Sequence, residues 1–272
     1  MTKQTALKNV IWAICIGLAL LALLIGLFIA AVGHYYGDRT RPVMNIGEPV
    51  SAAQKETEKA AALPSVSADG TLHELKSSGD AGQGYLDGLT LMCDSVSLPL
   101  KSSGLFSGEI WSGENGQLPM TSAFAWKIVF PGDGSVVSPA NAAMIAKPEI
   151  LVIAVGSDDA MGISQDDFVE NYEMLISSIL SNSPDTRIVC GSVFSVTTAY
   201  AGSTGPSAER AAELNTWIKQ VCVDTGVYYA DWSSSLTDGG YLRPEYAEAD
   251  GRTLSSAGLT ALLGWLRSHT AA

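Results

Sequence analysis

The sequence predicts an α/β fold: a three-layer α/β/α sandwich on a parallel sheet, preceded by one N-terminal transmembrane helix. Three observations predict it. Residues 10–32 carry no charge. From Tyr85 onward, short continuous apolar runs alternate with amphipathic stretches of helical period. The apolar runs end in Asp, Ser and Gly, which suit the turns at the carboxyl ends of parallel strands.

The first element is Val10–Val32. As a helix it rises about 34 Å, and a hydrocarbon core is about 30 Å thick. Secretory signals have apolar cores of only roughly 7–15 residues. The run is therefore expected to be a signal anchor, with 1–9 as a cytoplasmic tail and 10–33 as the span. Ala31-Val32-Gly33 still offers a small-residue cleavage site. Lys3 and Lys8 precede the run and Arg39 and Arg41 follow it, a slight positive-inside bias. The bulk of the chain is expected on the extracytoplasmic side of the cell membrane.

Residues 34–84 read as a flexible stalk. They are rich in Ala, Ser, Glu, Lys and Gly, and such a segment buries too little to offset its ordering entropy. His73 falls here and reads as a solvated loop residue.

Residues 85–270 read as the folded domain. Leu89–Cys93, Glu149–Val155, Arg187–Phe194 and Val227–Ala230 are the expected buried strands, with Glu109–Trp111 a further one. Ser164 caps a helix with Asp166 and Asp167 in its first turn, where the dipole favours acids. Phe168, Tyr172, Leu175, Ile176 and Ile179 form its apolar face, and Pro184 closes it. Ser207 to Asp224 is a second helix, stopped at Gly226. Ser256 to Ser268 is the last. In open parallel sheets, ligands bind beyond the carboxyl ends of the strands.

Charge and cysteine usage exclude several functions. The chain has 272 residues and a formal net charge of -12, which speaks against nucleic acid as a partner. Cys15, Cys93, Cys190 and Cys222 lie in apolar runs or on a helix and read as buried free thiols. No Cys-x-x-Cys pair or Cys/His cluster provides a zinc site. No cofactor is expected.

Three segments carry the candidate chemistry: Asp94-Ser95, Gly156-Ser157-Asp158-Asp159, and Asp250-Gly251-Arg252-Thr253. Their order resembles the SGNH/GDSL hydrolase superfamily. That family has Gly-Asp-Ser after its first strand, Gly-x-Asn-Asp after a middle strand and Asp-x-x-His before the final helix. The resemblance spans about Tyr85 to His269. It implies an acyl-ester hydrolase with Ser95 as nucleophile and Asp250 as the acid orienting a histidine. The oxyanion donors would be the Ser95 amide, the amide of Gly113 or Gly116, and the residue at Asp158. It also implies an acylated carbohydrate or cell-envelope glycan as ligand class.

Two positions depart from the pattern. Thr253 stands at the histidine position, and a serine hydroxyl is a poor nucleophile without an adjacent base. Asp158 replaces the asparagine, and a carboxylate there repels the developing oxyanion. Cys93 where the family has glycine is a milder change. His34, His73 and His269 are the only histidines. His73 folding over the site, or Asp250 acting as a base itself, are the rescues to consider. The expectation is slight or absent hydrolysis with a binding role; the alternative is an active serine esterase using an unusual base.

Asp94, Asp158 and Asp159 also suit simple turn capping. If Asp94, Asp158 and Asp250 met in one pocket, they would offer oxygen ligands to Ca²⁺ or Mg²⁺. Arg252 is placed to neutralise them instead, and no metal is expected.

Overall fold

The computed structural model describes residues 68–159, 162–200 and 207–271. Val10–Val32, the cytoplasmic tail, His34 and the stalk as far as 67 lie outside the described residues. Among the described residues no helix is long and apolar enough to cross a membrane.

The strands in chain order are β1 (His73–Glu74), β2 (Leu89–Cys93), β3 (Glu109–Ser112), β4 (Ile128–Val129), β5 (Val136–Val137), β6 (Ile150–Ala154), β7 (Arg187–Gly191), β8 (Tyr228–Ala230), β9 (Thr237–Asp238) and β10 (Tyr241–Leu242). The helices are α1 (Gln83–Asp87), α2 (Leu100–Ser103), α3 (Pro139–Ala146), α4 (Gln165–Asn182), α5 (Ala208–Thr225), α6 (Ser233–Leu236) and α7 (Ser256–Ser268). Six strands form one parallel sheet in the order β1-β8-β7-β6-β2-β3. β4–β5 and β9–β10 are small antiparallel hairpins outside it.

The sheet is covered on both faces, which is why its central strands are mostly apolar and buried at nearly every position. Met92, Leu151, Ile153, Ile188 and Cys190 face one cluster with α4 and α5 residues such as Phe168, Tyr172, Leu214 and Ile218. Leu89, Leu91, Ile150, Val152 and Val189 face the other, with Leu259, Leu262 and Leu266 of α7. Period-2 alternation along each strand thus feeds two cores, completing the three layers.

Among the described residues, the four longest helices each begin on a serine. The side chains of Ser138, Ser164, Ser207 and Ser255 accept from Asn141, Asp167, Arg210 and Gly258 backbone N–H groups, respectively. α5 ends on Gly226 at φ 70°, the left-handed cap that glycine adopts without Cβ strain. Gly191, at the carboxyl end of β7, has another reason to be glycine. A Cβ there would lie 1.6 Å from the Trp232 ring, which is fully buried and stacked on Phe194.

One boundary needs correction. The folded domain does not begin at Tyr85, since the last part of the proposed stalk belongs to it. β1 pairs with β8 in the register His73↔Tyr228, and the Leu75 N–H donates to Tyr229 O at 2.8 Å. Leu75 and Leu86 are buried, and the Ser78 N–H reaches Ser268 O at 2.8 Å. Residues 68–84 hold few apolar groups, but those few meet partners from the end of the chain. His73 is accordingly an edge-strand residue rather than a loop residue.

Candidate active site

The three segments singled out above meet at the carboxyl edge of the sheet. Asp94 and Ser95 follow β2, and Ser157–Asp159 form one 3-10 turn after β6, the strand paired with β2. Arg252 and Thr253 lie in the loop before α7, and the Leu254 N–H docks on Val96 O at 3.2 Å.

Asp158 is the hub. Its Oδ1 accepts from the Ser95 hydroxyl and, at 3.1 Å, from the Arg252 guanidinium. Its Oδ2 accepts from the backbone N–H of Leu118 at 2.9 Å and of Ser95 at 3.3 Å. The side chain of Asp158 is 3% exposed and that of Arg252 28%. The Arg252 guanidinium also donates to Ser95 Oγ at 3.1 Å and to Ser157 O at 3.2 Å. Ser95 Oγ is therefore held between a carboxylate and a guanidinium.

Asp94 and Asp159 do different work. Asp94 is fully buried; its carboxylate accepts from Val96 N–H in its own turn and from Ser157 N–H at 2.9 Å, tying the β2 turn to the β6 turn. Burial, and then the charge of Asp158, push its carboxyl up to about 7. Asp159 does not cap its own turn. It accepts from Met120 N–H at 2.6 Å and Thr121 N–H at 3.2 Å, and burial pushes it up to about 6 despite those bonds.

A carboxyl raised in the folded state binds protons more tightly there than in the unfolded chain. Its contribution is fully present below the unfolded value near 4 and is lost as pH rises towards 7. Asp94→Asn removes this titration. Relative to the wild type, the variant is expected to gain about 2–4 kcal/mol of unfolding free energy between pH 4 and pH 8. Urea melts across that range check it, and a difference independent of pH would refute the assignment.

Asp250 is not part of this cluster. It is exposed and accepts from its own turn: Arg252 N–H and Thr253 N–H, each at 2.9 Å, and the Thr253 hydroxyl at 2.6 Å. Partial burial works to raise its carboxyl, but the Thr253 hydroxyl and these N–H donors leave it below the usual range. Asp250 and Thr253 are thus hydrogen-bonded to each other within one turn. Asp250 acting directly on Ser95 finds no support in this geometry. Nor do Asp94, Asp158 and Asp250 meet, and among the described residues no three metal-ligating side chains cluster.

The histidine rescue fails as well. His73 sits opposite Tyr228 at the amino end of β8. His269 stacks on Trp265 with ring centroids 4.0 Å apart, past the far end of α7. There, Ala271 O accepts from Arg187, the first residue of β7. Both rings lie at the end of the sheet opposite Ser95. Burial pushes the Cys93 thiol up to about 12, so it is no substitute nucleophile.

The two candidate glycines line a cleft of about 560 Å³ with Ser95, Leu98, Lys101 and Asn115. The Gly116 N–H is spent on Gly113 O at 2.9 Å, and Gly113 bridges to Ile128. The amide that stands beside the Ser95 amide on the Asp158 carboxylate is that of Leu118. A backbone donor carries no residue signature, so sequence reasoning missed it.

A family model described as "GDSL-like Lipase/Acylhydrolase family" matches residues 116–261, more than half of the chain. The chain belongs to the GDSL-like lipase/acylhydrolase family. The match includes Asp158 and Asp250–Thr253 and begins beyond Ser95, whose place in this GDSL domain rests on the geometry above. No curated protein matches the chain. Solved structures similar to this GDSL domain include a lipase/acylhydrolase from Enterococcus faecalis (18% identity, 66% of this chain and 92% of that one, TM-score 0.43). A GDSL-like lipase from Bacteroides thetaiotaomicron is similar at 12% identity, covering 67% and 86% at TM-score 0.46. A carbohydrate esterase family 3 protein from Talaromyces cellulolyticus is similar at 15% identity, covering 66% and 93% at TM-score 0.45.

Proposed function

We propose that this GDSL-family domain has lost ester hydrolysis and serves as a ligand-holding module, displayed at the cell envelope by the apolar run Val10–Val32. The observation that carries this reading is the occupancy of Ser95. Its hydroxyl and amide both donate to Asp158, so the amide that should hold an oxyanion is already engaged. Position 253 supplies a threonine that donates to Asp250 and accepts no proton usefully near neutral pH. In serine hydrolases, loss of the base costs on the order of 10⁴–10⁶ in rate, and loss of one oxyanion donor about 10²–10³. The cleft beside Ser95, lined by Ser102, Ser112 and Asn115 as well as Leu98 and Pro99, suits a polar ligand with an apolar face, such as an acylated carbohydrate.

One observation favours a second reading, a slow esterase. The Ser95 hydroxyl donates directly to a carboxylate, the contact a general base needs. The same carboxylate is also bonded to the Ser95 and Leu118 amides and to the Arg252 guanidinium, so the contact belongs to a closed network, which is why the first reading is preferred.

Hydrolysis of p-nitrophenyl acetate by the full chain discriminates the two. The binding reading expects the same residual rate for the wild type and Ser95→Ala. A rate that Ser95→Ala removes would establish the esterase instead.

A further inference from the structure

The four donors around Asp158 come from outside its own side chain and from three separate segments: the β2 turn, the loop after β3 and the loop before α7. Each carboxylate oxygen receives two of them. Such a cradle defines a binding site in its own right, and its present occupant belongs to the chain. We propose that it is a preformed site for a small carboxylate, kept filled and closed by Asp158, and that it takes a free carboxylate from solution once that side chain is removed. This deepens the reading of Ser95 as occupied rather than activated, and assigns the occupied place a ligand chemistry.

Two further observations support it. Arg252 Nε is buried without a hydrogen-bond partner in the structure, so the tethered Asp158 leaves part of the guanidinium's donor capacity unused. Ser95 lines the cleft of about 560 Å³, which gives the cradle a route to solvent. Removing the Asp158 carboxylate strands two N–H groups, a hydroxyl and a guanidinium. Buried donors without acceptors are costly, and charge-assisted bonds to a new carboxylate satisfy all of them. Neutral ligands and chloride satisfy them less well, because the donors are arranged in pairs around two oxygens.

Size makes the proposal specific. Asp158→Ala removes one carboxylate and leaves room for formate; Asp158→Gly removes a methylene as well and leaves room for acetate. The test is calorimetry and thermal melting of the full chain with sodium formate, acetate or chloride at equal ionic strength. The wild type should show no carboxylate-specific response. Asp158→Ala should be stabilised by formate more than by acetate, and Asp158→Gly by acetate, each with millimolar affinity. Adding Arg252→Met to either should weaken binding at least ten-fold. Should Asp158→Ala fail to fold, Asp158→Ser keeps an acceptor for the Leu118 amide and leaves the outer lobe of the cradle empty for formate. Equal response to chloride and carboxylates, or a response that survives Arg252→Met, overturns the proposal. No ester is present in this measurement, so its failure is distinct from that of the hydrolysis test.

Discussion

Arg252→Met is expected to lower the stability of the folded domain by about 2–4 kcal/mol at pH 7. The substitution keeps most of the apolar stem and removes what is, among the described residues, the only cation bonded to Asp158, whose side chain is 3% exposed. The carboxylate keeps the Ser95 and Leu118 donors, so the loss falls below that of a fully orphaned buried charge. Arg252→Met combined with Asp158→Asn should recover most of it, because the charge needing compensation is gone. Chemical denaturation of the four proteins in a double-mutant cycle measures the coupling directly. A cost below about 0.5 kcal/mol for Arg252→Met, the level of an ordinary surface change, would mean that the pair contributes nothing to the fold.

The second large effect is a gain. Thr253→His together with Asp158→Asn is expected to raise Ser95-dependent ester hydrolysis by about 10²-fold or more over either single variant. The receiving half of the dyad is already built. Asp250 Oδ2 accepts the Thr253 hydroxyl at 2.6 Å, and its Oδ1 is fixed by two backbone N–H groups. A histidine at 253 inherits that acceptor for one ring nitrogen. Asparagine at 158 releases the Ser95 amide from a carboxylate and adds an N–H donor for the oxyanion. Neither change suffices alone: a histidine beside an occupied Ser95 finds its hydroxyl committed, and an asparagine without a base leaves the hydroxyl protonated. Steady-state rates on p-nitrophenyl acetate, with Ser95→Ala in the double-variant background, give the answer. Additive or absent gains would show that these two positions do not together limit hydrolysis at Ser95.

The parts of the fold legible in the sequence were those with local period. β2, β6 and β7 are continuous apolar runs, and α4, α5 and α7 each carry a serine cap before an apolar face. β1 was not legible. Two residues carry no period, and their strand character depends on Tyr228 and Tyr229 far along the chain. α3 and the β4–β5 hairpin escaped for a similar reason, since short elements rich in Ala, Gly and Val announce themselves weakly.

At the site, residue types were legible and orientations were not. The sequence placed Ser95, Asp158 and Arg252 at one sheet edge, with Arg252 as a neutralising group. It left open that Arg252 bonds Asp158 and Ser95 together, and that Asp250 faces its own turn. Those outcomes depend on side-chain direction and on the Leu118 amide, neither of which composition records.

The network around Asp158 also bears on how this chain folds. Its members are separated by 40 residues to Leu118, 63 to Ser95 and 94 to Arg252, and the Ser95–Arg252 contact spans 157. Contacts of such separation close slowly, because the loop entropy must be met before any bond rewards it. During synthesis, β2 and β6 can pair long before residue 252 leaves the ribosome. In that interval Asp158 has no guanidinium beside it, and the top of the sheet stays open. Arg252 is then a late latch: its arrival couples completion of the C-terminal third to closure of a turn made near the start of the domain.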